Sequence, residues 1–214
     1  MTEFIHENIR LIHGDCMDYM KDLPDNVFDL AIVDPPYGIN FAKTHTGKGW
    51  VVRESKDWDK NVPGQKYFDK LFKVSKNQII FGANYMTQFL PPSQGWIFWD
   101  KGQRDFSLAD GELAFSSFDR ALRVFKFTRS QMQSEYNGNK FHPTTKPTTL
   151  YKWLLKNYAT PDMKIIDTHL GSGSSAIAAW EYKCKEFVGI EIDKEYYDAG
   201  VKRFKNHIAQ KKLF

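Results

Sequence analysis

Residues 164–176 read KIIDTHLGSGSSA, and residues 187–193 read FVGIEID. A short β-branched run leads into a turn carrying Gly171 and Gly173. A helical stretch opens near Ser174, and a second apolar run ends on Glu191. Strand, tight turn, helix and strand in that order make a nucleotide-binding unit. The glycines let the backbone turn sharply and approach a ligand, Ala176 allows close helix–strand packing, and an acid ending the next strand accepts hydrogen bonds from ribose hydroxyls. Glu191 lies 20 positions beyond Gly171, which favours an adenosine-type cofactor with a free 2′-hydroxyl. The turn alone does not distinguish NAD from S-adenosylmethionine, and a purely structural turn is the competing reading.

Outward from this unit, short apolar runs at 9–13, 28–33, 78–81 and 96–99 join those at 164–166 and 187–190. Helical spacing at 17–23, 67–74, 85–90, 149–158, 174–182 and 194–208 falls between and after them. This alternation predicts an α/β fold: a doubly wound, mostly parallel Rossmann-like sheet with helices on both faces. Residues 112–127 read as an antiparallel hairpin closing one edge, with its turn near Asp119 and Arg120. A chain of 214 residues predicts one domain, 1–214, with irregular stretches at about 40–65 and 101–146.

Composition excludes several classes. At 42% hydrophobic and 26% charged residues the chain is ordinary for a globular protein, and no run reaches the roughly 18 apolar residues of a membrane span. The opening MTEFIHENIR has no apolar core of a secretory leader, and Cys16 and Cys184 are too few for a disulfide framework. The expectation is a cytoplasmic protein with free thiols. Net charge is +4, but 43–76 and 120–146 each carry a net +5. Such stretches are either solvated faces or the footprint of a nucleic acid.

A second motif, Asp34-Pro35-Pro36-Tyr37, follows the apolar run FDLAIV. In open α/β sheets ligands bind beyond the carboxyl ends of strands, where both motifs fall. Two prolines fix the backbone and remove two amide donors, leaving carbonyls and the Asp34 carboxylate as a rigid array of acceptors. Tyr37 adds an aromatic face, so the group suits a planar ligand carrying an amino group. The alternative is a Pro-Pro loop in which Asp34 caps a turn.

DPPY, joined with GDC at 14–16, HPTTKP at 142–147, DTHLGSGSS at 167–175 and GIEID at 189–193, resembles the amino-group DNA methyltransferases that use S-adenosyl-L-methionine. DPPY near the start and the glycine motif near the end resemble the β-type, circularly permuted adenine-N6 and cytosine-N4 enzymes, including solitary members carried by phages. The resemblance implies that Asp34, with a carbonyl of Pro35 or Pro36, accepts a hydrogen bond from the amino group of a flipped-out base on which Tyr37 stacks. It implies Asp15 and Cys16 beside the cofactor's adenine, and Glu191 on its ribose. Asp167, Gly171, Ser172 and Gly173 would surround the methionine portion, and Lys146 would lie near the carboxylate; the other reading of Lys146-Pro147 is a helix start. Thr168 and His169 stand where Pro and Phe are usual, and His169 either stacks on the cofactor or packs. Neither a metal nor a cysteine nucleophile is called for.

Asp in DPPY is typical of adenine-N6 enzymes, with cytosine-N4 as the alternative target. The resemblance implies double-stranded DNA as partner, with a second copy of the chain and a separate restriction nuclease as further options. Lys43, Lys48, Arg53, Lys56 and Lys60, interleaved with Trp50 and Trp58, and then Arg104, Arg120, Arg123, Lys126, Arg129 and Lys140 are the expected phosphate contacts. Asn137, Asn139, Gln131 and Gln133 are among the residues able to read base edges. An NAD-dependent oxidoreductase leaves DPPY and HPTTKP unexplained. A non-catalytic DNA-binding protein leaves the intact DPPY unexplained, and RNA is a variant substrate with the same chemistry.

Overall fold

The computed structural model describes residues 1–39, 61–104, 109–136 and 145–211. The six apolar runs all become strands, and the full set is β1 (Thr2–His6), β2 (Ile9–His13), β3 (Phe28–Val33), β4 (Ser75–Phe81), β5 (Ile97–Asp100), β6 (Gly111–Ser116), β7 (Arg123–Lys126), β8 (Lys164–Asp167) and β9 (Glu186–Glu191) among the described residues. The helices are α1 (Cys16–Met20), α2 (Gln65–Val74), α3 (Arg129–Tyr136), α4 (Thr148–Tyr158), α5 (Ser174–Tyr182) and α6 (Lys194–Lys211). All nine strands join one sheet, in the order β1-β2-β9-β8-β3-β4-β6-β5-β7. Pairing is parallel from β2 through β9, β8 and β3 to β4, and again between β5 and β7. It is antiparallel at β1–β2 and on both sides of β6.

Alternation along the strands sends side chains to two buried layers. On one face Leu11, Leu30, Ile32, Ile79, Phe81, Ile165 and Phe187 pack against α4, α5 and α6. On the other, Ala31, Val33, Ile80, Ile166, Val188 and Ile190 meet Met20 of α1 and Tyr67, Phe68, Leu71 and Val74 of α2. Near-continuous apolar strands are what a parallel sheet covered on both faces requires.

Four local readings need correction. Residues 112–127 do not form a hairpin: β5 lies between β6 and β7 and pairs with both. The more apolar strand takes the interior place, since Ile97 and Trp99 of β5 are buried whereas β7 buries only Phe125. The stretch 85–90 is not one helix but two 3₁₀ turns, Ala83–Tyr85 and Thr87–Phe89, confined between Gly82 in left-handed backbone and Pro91-Pro92. Helix α1 ends at Met20 rather than 23, because Pro24 disfavours helical backbone at Leu23. Strand β1 and helix α3 were not expected; α3 lies in a stretch read as irregular.

Candidate active site

Consecutive strands β2 and β3 are separated in the sheet by β9 and β8. The winding therefore reverses between β8 and β3, and the crevice beyond their carboxyl ends is the binding place of such sheets. A cleft of about 650 Å³, open mouth included, lies there. Its walls include Asp34 and Pro36 after β3, Lys146 before α4, His169–Ser172 after β8, and Glu191–Asp193 after β9.

The glycine turn forms as its sequence requires. Gly171 (φ +53°) and Gly173 (φ +75°) are both left-handed, and Gly173 sits so close to α6 that an added Cβ would meet the Gly200 carbonyl at 3.3 Å. Glu191 secures the turn: Oε2 accepts from the Gly171 amide at 2.8 Å and Oε1 from the Asp193 amide at 2.9 Å. Each carboxylate oxygen keeps lone-pair capacity for a further donor. Burial pushes the Glu191 carboxyl up, against the pull of these amides.

Asp167 faces inward and braces the start of α5, accepting from Ser175 Oγ at 2.6 Å and from the His169 amide at 3.0 Å. Burial drives its pKa up to about 7. His169 is pushed down to about 4, also by burial. Its Nδ1 lies 2.9 Å from Thr168 Oγ1, and its ring stands edge-on to Tyr67 at 5.4 Å. His169 thus packs on Tyr67 while lining the cleft. Asp15 caps α1 through the Met17 amide, and neither Asp15 nor Cys16 lines this cleft. Burial raises the Cys16 thiol to about 12, so it stays protonated at neutral pH.

The other half of the site is a charge network. Lys146, 3% exposed, places Nζ 2.5 Å from Asp34 Oδ2 and 3.3 Å from Glu112 Oε2, and donates to Tyr37 Oη at 3.0 Å. Tyr37 in turn donates to Asp34 Oδ1 at 2.7 Å. Lys101 holds the second Glu112 oxygen at 2.6 Å. Burial disfavours the Glu112 carboxylate, but two ammonium groups overcome this and hold its pKa at about 2. Burial likewise opposes charge on Lys146, yet two carboxylates keep it protonated beyond the usual lysine range. Asp34 is left with its carboxyl raised, chiefly by burial and partly by the Glu112 charge, against the pull of Lys146. The Tyr37 ring leans on Gly82, where a Cβ would fall 2.1 Å from it, and stacks on half-exposed Tyr85 at 5.4 Å and 17°.

The structure therefore brings Asp34, Pro36, Lys146, His169, Gly171, Ser172 and Glu191 into one cleft. Lys146 sits on the Asp34 side, engaged by two carboxylates. Glu112 was missed; its one trace in the sequence is an acid opening the apolar run ELAF. Two more residues hold the site from afar. Arg203 of α6 bonds the Ser172 carbonyl, Ser174 and Thr148, tying the glycine turn to α4. Glu135 of α3 accepts from the Thr148 and Thr149 amides, capping α4 just after Lys146.

The expected DNA contacts divide. Lys43, Lys48, Arg53, Lys56, Lys60 and Lys140, with Trp50, Trp58, Asn137 and Asn139, lie outside the described residues. Arg104 and Arg129 follow the carboxyl ends of β5 and β7, on the cleft side, though Arg104 is paired with Asp100 at 3.0 Å. Arg123 begins β7 at the opposite end of the sheet. Arg120 is there too, bonded to the Asn157 carbonyl beyond the cleft-side start of α4.

Known proteins share this architecture. Residues 93–202 match the family N6_N4_Mtase, described as DNA methylase; the match takes in Glu112, Lys146, the glycine turn and Glu191. The DNA adenine methyltransferase YhdJ of Escherichia coli (strain K12) is 23% identical over 258 residues, covering 94% of this chain and 84% of that protein. A solved M1.HpyAVI–SAM complex superposes with a TM-score of 0.62 at 21% identity, over 91% of this chain and 99% of the other. The PvuII DNA methyltransferase, a cytosine-N4-specific enzyme, gives 0.60 at 13% identity, over 94% of this chain and 91% of the other. These two structures share the fold, and the family match spans more than half the chain: the protein belongs to the N6_N4_Mtase family of DNA methylases.

Proposed function

We propose that this chain transfers the methyl group of S-adenosyl-L-methionine to the N6 amino group of an adenine flipped out of double-stranded DNA, as a β-type enzyme whose catalytic domain is residues 1–214. The observation that carries the reading is that Asp34 and Pro36 share a cleft with the glycine turn and Glu191, so an amino group and a cofactor meet there. Asp at the head of DPPY favours adenine, and YhdJ is named an adenine methyltransferase. Cytosine-N4 is the second reading, since a cytosine-N4-specific enzyme has the same fold.

The lining suits that cofactor. Pro36, Leu170 and Ile192 offer apolar surface for a purine, while Glu191 and Asp193 supply negative charge towards a cation with donor hydroxyls and an ammonium. When bound, the cofactor supplies a methyl group on a sulfonium, already electrophilic. Glu191 would hold the ribose, and the Gly171–Gly173 turn would border the methionine portion. Asp34 Oδ and a neighbouring proline carbonyl accept hydrogen bonds from the target amino group. This turns the nitrogen lone pair out of conjugation and towards the methyl carbon, so the gain is chiefly positional. The amino nitrogen would have to shed a proton on methylation, and Asp34 could take it, because burial raises its proton affinity.

Nucleoside mass spectrometry of mixed-sequence DNA incubated with the protein and methyl-labelled S-adenosylmethionine tests the reading. Labelled N6-methyladenine is the expected product, and N4-methylcytosine would transfer the reading to the second target. Asp34→Ala should lower turnover by about 100-fold or more while cofactor affinity by calorimetry stays within about threefold. Full activity in that variant would remove Asp34 from the chemistry.

A further inference from the structure

In the free protein both carboxylate oxygens that should receive the target amino group already hold a partner. Asp34 accepts from Lys146 on Oδ2 and from Tyr37 on Oδ1. A base docking against Asp34 therefore meets a carboxylate whose charge is drawn towards a buried ammonium, which weakens it as an acceptor for a further donor. Pulling Lys146 off Asp34 with nowhere to go would strand a desolvated cation, at a cost that the binding of one amino group does not cover. Glu112 removes that difficulty. Its Oε2 lies 3.3 Å from the same ammonium, and it reaches Tyr37 Oη at 3.4 Å. It is itself fixed at the start of β6, with Lys101 on its other oxygen.

We propose that Glu112 is a positioning residue for methyl transfer: it takes over Lys146 when the target amino group docks, freeing Asp34 to accept. The movement needed is short, since Lys146 already stands between the two carboxylates. The cation stays buried and paired throughout, held also by the ring of Phe81 at 4.8 Å. No covalent step is added; what changes is which carboxylate Lys146 serves. Lys101 keeps Glu112 in place and balances its charge, so that two carboxylates face two ammonium groups before and after the hand-over. Among the described residues, Asp34 and Glu112 are the acidic partners of Lys146, so without Glu112 the lysine remains on Asp34.

This rests on Asp34 being the acceptor of the amino group, and the test separates the two ideas. Tritiated S-adenosylmethionine and unmethylated genomic DNA give initial rates for wild type, Glu112→Gln, Glu112→Asp, Lys146→Gln and the Glu112→Gln/Lys146→Gln pair, with cofactor affinity measured alongside. Incorporation by wild type that Asp34→Ala abolishes upholds the underlying reading independently. Glu112→Gln should lose about 10- to 100-fold in rate, the scale of one charge-assisted contact at a buried site. Its cofactor affinity should be unchanged. Glu112→Asp, which keeps the charge, should recover part of the rate and serves if the glutamine variant does not fold. In the Lys146→Gln background there is no ammonium to hand over, so adding Glu112→Gln should cost little more. A wild-type rate in Glu112→Gln, no difference between Asp and Gln at 112, or losses that multiply in the double variant would overturn the proposal.

Discussion

Asp167 and His169 stand two residues apart, and burial displaces their pKa values in opposite directions, the carboxyl to about 7 and the imidazole to about 4. Their ordinary values are 3.8 and 6.5. Folded Asp167 keeps its proton where the unfolded chain has released it, so its contribution to stability fades as pH rises from about 4 to about 7. Folded His169 stays neutral where the unfolded chain binds a proton, so its contribution fades as pH falls from about 6.5 to about 4. The two slopes oppose each other in one window. Melting temperatures between about pH 4.5 and 6.5 should therefore rise more steeply with pH in Asp167→Asn than in wild type, and fall relative to wild type in His169→Gln. Parallel curves for all three proteins would show that the pair is not buried as described. These two residues also mark what could be read in advance: a contiguous motif placed them after a strand, but which atoms they face depends on Tyr67 and Ser175.

Helix α4 begins at Thr148 with Pro147 as its cap and no side-chain capping bond from that residue. The cap comes instead from α3, where Glu135 binds the Thr148 amide at 2.5 Å and the Thr149 hydroxyl at 2.7 Å. Glu135→Ala should cost about 1–2 kcal/mol in urea unfolding, the usual range for a lost cap, and Glu135→Gln less, since it retains an acceptor. An unchanged stability in the alanine variant would mean that α3 does not dock as described. Because Lys146 immediately precedes the Pro147 cap of this helix, the fray should also reduce turnover. The same element shows why part of the site was illegible. Asp34, Gly171 and Glu191 sit in short local motifs, whereas Glu135 reaches α4 from 13 positions away, and Glu112 and Lys146 meet Tyr37 over 75 and 109 positions. Period-two alternation identifies a strand but not its partner, and so 112–127 looked like a hairpin although β5 intervenes. Strand β1 was missed because its five residues, TEFIH, are largely exposed and polar at an edge.

At the scale of the whole molecule, the carboxyl ends of β3, β5, β7, β8 and β9 share one rim, and the proposed DNA must approach that rim. Binding should weaken with salt, log K falling by about 0.9 per phosphate neutralised for each unit of log salt. Arg129 is exposed just past β7, and replacing it with alanine should reduce that slope by about one. Arg123→Ala, at the far end of β7, should leave the slope unchanged; fluorescence anisotropy over a salt series distinguishes them, and equal effects would mean that DNA reaches both ends of the sheet. The sheet order has one more consequence, for synthesis of the chain. Strands β2 and β3 emerge early, yet they touch β9 and β8 rather than each other. Until residues 164–191 leave the ribosome, the two strands that cover the facing edges of β2 and β3 are missing. Such edges invite pairing with other chains, so the late segment that carries the glycine turn also shields the early half from aggregation, and a message truncated before residue 164 yields a sticky fragment rather than a weak enzyme.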